Sequence, residues 1–204
     1  MTMTIRGAVG RLLVGALLFL PATARGDDRF DVGLLLGTTK TGDEGAVLQF
    51  RREVTYQATF AWRLWSGPRA AIAIEVPLLA SPAFEVTTTG PSLPLEYASL
   101  YLTPGVRVTW PVRRPLSVFG TIGAGYARYS ESRFRIDTSP NADQRDTNTG
   151  AFHVGGGVDV RARRWLGFRA EVRDVITGAR AFSIPTPGGT VHNIIPSAGL
   201  VLRF

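Results

Sequence analysis

Between Val54 and Trp65 the chain alternates side by side: Tyr56, Ala58, Phe60, Trp62 and Leu64 share one parity, and Thr55, Gln57, Thr59 and Arg63 the other. A period of two puts successive side chains on opposite faces of a β-strand, so this segment presents one apolar and one polar face. Residues 152–162 repeat the pattern, with Phe152, Val154, Gly156, Val158 and Val160 opposite His153, Gly155, Gly157, Asp159 and Arg161. From about residue 25 onward no segment sustains a helical period. The same reading predicts strands near 29–38, 54–65, 70–79, 98–110, 116–129, 150–162, 167–176 and 193–204.

The connections between these strands fall into two kinds. Residues 66–69, 111–115 and 163–166 are tight, two of them built on Gly or Pro; residues 39–53, 80–97, 130–149 and 177–192 are long and rich in Thr, Ser, Pro, Asp and Gly. Strict alternation of short and long connections is expected of an up-and-down β-barrel whose short turns all lie on one side of a membrane and whose long loops lie on the other.

Polarity separates this from a soluble, secreted, lipocalin-like ligand carrier of the same length. Such a barrel is apolar within and polar outside, whereas a membrane barrel is the reverse. The polar faces carry Arg63, Glu75, Arg107, Asp159, Arg161, Glu171 and Arg173. These are too bulky and charged to line a lipid-like pocket, and they are expected to form an ion-pair network inside the barrel, because an unpaired charge there would cost several kcal/mol. Gly123, Gly125, Gly155 and Gly157 on the same faces leave room for the long side chains. Trp62, Trp65, Trp110 and Trp165, with Phe168 and Phe204, fall at or beside the short turns and are expected to form an interfacial girdle. Tyr97, Tyr101, Tyr126, Tyr129 and Phe152 lie towards the long loops and are expected to form a second. The other reading of these aromatics is an ordinary core.

Two features fit less easily. Pro77, Pro104 and Pro196 fall inside strands, where each removes a ladder hydrogen bond, so bulges or strand ends are expected there. The run Leu34-Leu35-Leu36 leaves the facing of the first strand open.

Composition and charge narrow the role. Residues 1–24 read as an export signal: Arg6 and Arg11 precede the apolar run Leu12–Leu20, and Ala22-Thr23-Ala24 offers a cleavage site. Nine apolar residues are about half the roughly 20 that a membrane-spanning helix needs. Residues 25–204 then form the barrel domain, with 21 basic and 16 acidic side chains, net +5. That scattered excess does not point to nucleic acid. Without a cysteine there is no disulfide scaffold, thiolate metal site or thiol nucleophile. His153 and His192 are 39 residues apart, and Asp137, Asp143 and Asp146 show no ligand spacing, so no metal or cofactor is expected. Arg25-Gly26-Asp27 reads as a chance triplet, and residues 120–125 are followed by no helix that would make them a phosphate loop.

The last strand carries a family resemblance. From Phe204 backwards, Leu202, Leu200, Ala198, Pro196 and Ile194 alternate with Arg203, Val201, Gly199, Ser197 and Asn193. A terminal aromatic after such alternation resembles the signal by which the assembly machinery of Gram-negative bacteria recognises outer-membrane barrels. With residues 102–108, 120–126, 154–161 and 166–173, the segment after residue 24 resembles the small eight-stranded outer-membrane barrels of the OmpA and OmpX type, an all-β, antiparallel, up-and-down fold.

The resemblance implies a porin-like monomer in the outer membrane, in contact with its lipids and lipopolysaccharide. It further implies engagement of the assembly machinery through the strand ending at Phe204. Nothing in the sequence resembles the peptidoglycan-binding domain that some relatives carry after the barrel, so wall binding of that kind is not expected. Lipid A deacylases of the outer membrane use a lipid-facing His and Ser two apart with an acid; here Gly155 stands at that spacing from His153, so no catalysis is expected. Since an eight-stranded barrel is just wide enough for its own side chains, the expected role is structural or carried by the long loops. A narrow channel or a conduit for small hydrophobic molecules is the alternative.

Overall fold

A computed structural model describes residues 29–41, 53–85, 96–132, 134, 139–141, 146–178 and 189–204. The segment read as an export signal and most of the long loops lie outside these residues. The described chain forms β1 (Phe30–Thr41), β2 (Glu53–Ser66), β3 (Ala71–Glu85), β4 (Glu96–Leu102), β5 (Gly105–Arg113), β6 (Leu116–Glu131), β7 (Asp146–Arg161), β8 (Leu166–Thr177) and β9 (Val191–Arg203). All neighbours are antiparallel, and β1 pairs with both β2 and β9, so the sheet closes on itself. β4 and β5 lie end to end between β3 and β6, which makes eight barrel staves from nine strands.

Closure is completed at the chain end, where Phe30 and Phe204 exchange backbone hydrogen bonds of 3.0 and 2.9 Å. With every strand paired on both sides, the unsatisfied edge groups of an open sheet are abolished. The short turns are tight, with Gly67 N–H donating to Ala70 O at 2.8 Å and Ala162 N–H to Leu166 O at 3.0 Å.

The sequence places one continuous strand over 98–110, whereas the structure breaks it at Thr103-Pro104. Proline has no N–H to give the ladder, and Pro77 sits opposite the same gap, between the pairs Glu75↔Gly105 and Leu78↔Leu102. Two prolines thus share one interruption. Pro196 marks another: β1–β9 pairing lapses between Gly37↔Ser197 and Lys40↔Ile194. β6 and β7 run past their expected ends to Glu131 and Asp146, shortening the loop between them.

Polarity is inside out. Phe60, Val158 and Leu200 are 46, 39 and 46% exposed, while Arg107 and Asp159 are 3 and 4% exposed. The lipocalin-like alternative requires the opposite arrangement and is not what these strands adopt. The facing of β1 follows its partners: Asp31, Gly33, Leu35 and Thr39 are buried within, and Leu36 faces out.

Candidate functional site

The lumen is filled by two different chemistries, stacked along the barrel axis. In the short-turn half lies the ionic layer. Glu75 (β3), Arg107 (β5), Asp159 (β7), Glu171 and Arg173 (β8) are buried there, as their parity requires. Arg173 Nε donates to Glu171 Oε1 at 2.5 Å, and its Nη2 pairs with Glu75. Arg107 pairs with Asp31 and stands 3.6 Å from Glu75 Oε2. A guanidinium can serve two carboxylates because its five N–H groups form a planar fork.

Three further members escaped the sequence-based reading as partners. Arg169 grips Asp159 with both carboxylate oxygens engaged, Nε to Oδ1 at 2.7 Å and Nη2 to Oδ2 at 2.9 Å. Arg203 donates to the same Asp159 Oδ2 at 3.1 Å, and Asp31 brings β1 into the network. Arg169 shares the parity of Glu171 and Arg173, a signal present in the sequence. Asp31 had no such signal, because the leucine run obscures which face of β1 is polar. Phe119 adds an apolar element: the guanidiniums of Arg169 and Arg107 lie 4.7 and 5.8 Å from its ring centroid, within reach of cation–π attraction.

Two expected members sit elsewhere. Arg161 is exposed at the barrel mouth, at the last position of β7, and so lies outside the buried network. Arg63 is also at the rim, its side chain 25% exposed and 3.7 Å from Asp31. Both are inward by parity but stand too near the strand ends to be enclosed.

Glycine makes the layer possible. Gly155 pairs with Arg173 and Gly157 with Glu171. A Cβ at Gly155 would lie 3.0 Å from Arg173 Cγ and 2.7 Å from Val172 O, and one at Gly157 would lie 2.8 Å from Glu171 Cβ. The long charged side chains occupy the space those methyl groups would fill.

His153 joins this layer to the next. Its Nε2 lies 3.1 Å from Arg173 Nη1, which can only donate, so Nε2 accepts and Nδ1 is left to donate to Thr103 Oγ1 at 2.9 Å. Gln57 extends the network, donating to Glu171 at 2.7 Å and accepting from Ser197 at 3.1 Å.

The long-loop half is aromatic and hydroxyl-rich. Tyr97, Tyr101 and Tyr129 are 2, 0 and 1% exposed and pack together, with ring centroids 6.4 Å apart for Tyr97–Tyr129 and 5.9 Å for Tyr101–Tyr129. This corrects the expected second girdle: these three fill the lumen, and only Tyr126 and Phe152 face outward, 40 and 41% exposed. Parity explains it, since Tyr97 and Tyr101 share a face with Ser99 and Thr103, while Ala98, Leu100 and Leu102 take the other. Tyr129 Oη lies 2.9 Å from Thr177 Oγ1, and Thr39, Thr55 and Ser81 form a hydroxyl chain with steps of 2.6 and 2.8 Å.

On the outer wall Trp62, Trp65, Trp110, Trp165 and Phe168 are 46–53% exposed at the short-turn end, with Phe204 half-buried beside them. Phe30 joins them, its ring stacked on Phe60 and Trp62 at 5.9 and 6.5 Å. His192, read from sequence as a loop residue, lies on β9 facing outward, 2.6 Å from Asp174.

These features define an eight-stranded up-and-down barrel of the membrane type, apolar without and ionic within. Solved structures share that fold. Neisserial surface protein A matches with a TM-score of 0.59 at 12% identity, over 86% of this chain and 97% of that one. The attachment invasion locus protein Ail of Yersinia pestis matches with a TM-score of 0.52 at 11% identity, over 86 and 99%. The outer membrane protein OprG of Pseudomonas aeruginosa matches with 0.50 at 13%, over 87 and 96%. No family model matches the sequence, and neither does any curated protein.

Proposed function

We propose that the chain is an integral outer-membrane barrel without enzymatic activity, its lumen closed by its own side chains, acting as a structural element or through its long loops. One observation carries this reading: most large apolar side chains face outward, among them Phe60, Trp110, Ile122, Val158, Val172 and Leu200, while four buried arginines, Arg107, Arg169, Arg173 and Arg203, are matched inside by Asp31, Glu75, Asp159 and Glu171. Water on the outside would solvate none of that apolar surface well, and acyl chains would. The fold shared with outer-membrane proteins supports the same location. Arg169, Arg173, Tyr97, Tyr101 and Tyr129, all below 2% exposure or close to it, stand across the lumen and support a closed plug.

A second reading, a conduit for small hydrophobic molecules, draws on the lapse in β1–β9 pairing at Pro196. An outward-facing groove of about 780 Å³ lies there, lined by Leu36, Val158, Ala170 and Pro196 and reaching Glu171. Membrane fractionation with a heat-modifiable gel shift tests the barrel assignment; recovery in the soluble fraction with no shift on boiling would reject it. Planar-bilayer conductance separates the plug, which passes no discrete current steps, from an aqueous channel. Uptake of a hydrophobic dye by proteoliposomes reports on the lateral conduit.

A further inference from the structure

Along the sequence the basic residues look scattered, but closure of the sheet gathers five of them on one rim. The three short turns, residues 66–70, 111–115 and 162–165, carry Arg69, Arg113, Arg114, Arg163 and Arg164 and no acid. All five are exposed, and none makes an ion pair among the described residues. Asp31 and Asp159, just inside the mouth, are held by the buried Arg107 and Arg169. Before β1 the only acids are Asp27 and Asp28, which lie outside the described residues; with a terminal carboxylate at Phe204 they would answer three charges, while Arg25 and Arg29 on the same stretch add two. At the opposite end, by contrast, Arg128 and His192 each stand 2.6 Å from an acid, Asp146 and Asp174.

The turns fix where these arginines stand. Gly67 N–H donates to Ala70 O at 2.8 Å, and the N–H groups of Ala162 and Arg163 both donate to Leu166 O, at 3.0 and 2.8 Å, so Arg69, Arg163 and Arg164 sit on closed backbone loops. Arg113 pairs with Leu116, which leaves Arg114 at the tip of its turn. Each turn is also flanked by an exposed tryptophan on the outer wall: Trp65, Trp110 and Trp165. A Cβ on Gly67 would lie 2.6 Å from Trp65 Cη2, so that ring is laid against its own turn. An indole settles at the boundary between acyl chains and headgroups, and a guanidinium on a long stem beside it reaches the phosphates.

What points to a partner is the repetition. One tryptophan–arginine unit stands at each of the joins β2–β3, β5–β6 and β7–β8, every second boundary between staves, and β1 opens on a similar pair, Arg29-Phe30. A compact ligand would touch one such unit, whereas a leaflet surrounding the barrel touches all of them at one depth. We propose that the short-turn rim is a collar for anionic phospholipid headgroups of the phosphatidylglycerol class, a step that rests on the membrane reading above. Guanidinium forks hold phosphate oxygens in pairs, and the negative potential of an anionic leaflet draws in basic residues placed at its surface. A zwitterionic phospholipid offers the same phosphate without the net charge, so the collar selects the anionic class.

All four tryptophans of the chain stand at the short-turn end, so quenching of their fluorescence by a brominated lipid reports on this rim alone. The test reconstitutes the purified barrel into phosphatidylcholine vesicles in which dibrominated phosphatidylcholine or dibrominated phosphatidylglycerol replaces a rising fraction of the lipid. Half-maximal quenching is expected at an about fivefold lower fraction of the phosphatidylglycerol, the equivalent of one arginine contact, and the two curves are expected to draw together in ~1 M salt. The combined variant Arg69→Gln, Arg113→Gln, Arg114→Gln, Arg163→Gln and Arg164→Gln is expected to bring them together at low salt, and Arg128→Gln at the opposite end to leave them apart. Coincident curves for the unaltered barrel, or a separation that survives the combined variant in a barrel that keeps its heat-dependent gel shift, overturn the proposal. Coincident curves together with saturable binding of soluble polyphosphate would assign the rim to a polyanion in water and overturn it too. No quenching by either lipid would reject the membrane reading itself, whereas strong but coincident quenching rejects the collar alone.

Discussion

The two halves of the lumen are filled by opposite strategies. The short-turn half is packed with guanidiniums and carboxylates, the long-loop half with tyrosines, threonines and aliphatic side chains such as Leu79, Val175 and Ile195. They fail differently when a piece is removed. An aromatic plug loses contact area in proportion to what is deleted, whereas an ionic plug left with one partner missing retains a buried charge that water cannot reach.

Arg173→Met sharpens this contrast most. It strips Glu75 and Glu171 of their shared partner, and the expected loss is about 3–5 kcal/mol in a denaturant refolding titration. The triple change Arg173→Met, Glu75→Gln and Glu171→Gln removes the stranded charges and is expected to recover most of that loss. If the triple variant is no more stable than Arg173→Met alone, burial of unpaired charge is not the cause.

Val158→Arg probes the outer wall instead, where Val158 is 39% exposed on β7. A cost of about 2–4 kcal/mol is expected in a bilayer, and the same variant should be nearly neutral if that face meets water. Gly155→Ala ranks below both: its methyl group would press on Val172 O and Arg173 Cγ at 2.7 and 3.0 Å. The expected effect is about 1–3 kcal/mol, and it should shrink when Arg173 is also shortened.

In the long-loop half the changes are smaller. Tyr129→Phe keeps the ring and deletes only the hydroxyl 2.9 Å from Thr177 Oγ1, for about 1 kcal/mol in the same titration. Arg128→Gln breaks a pair with Asp146 whose side chains are 43 and 44% exposed. Solvent screens such a pair, so its loss should lie within about 0–1 kcal/mol. A larger penalty for Arg128→Gln than for Tyr129→Phe would mean that the long-loop rim is held more rigidly than its exposure implies.

Much of this is legible in the sequence. The period of two on β2, β7 and β9 gave the strands and, through the charged residues at alternate positions, the inside-out facing. Glu75, Arg107, Asp159, Glu171 and Arg173 were found by parity alone. Parity reports a face, however, and is silent about height. Arg63 and Arg161 have the right face and the wrong height, so they ended at the rim. Tyr97, Tyr101 and Tyr129 had the right height and were assigned the wrong face, although Ser99 and Thr103 beside them carried the correcting signal.

Alternation along most of the strands, with the alternation of short and long connections, by itself determined that there would be a barrel and that arginine and acid would meet inside it; the facing of β1 and of the tyrosines it left to the tertiary structure. Which arginine meets which acid was decided only when the sheet closed. The stagger between neighbouring strands sets each inward side chain against residues as far away as Glu75 from Arg173 or Asp31 from Arg203. A one-dimensional pattern with period two holds no record of that stagger, because it arises from the ladder hydrogen bonds between strands and from the condition that β9 return to β1.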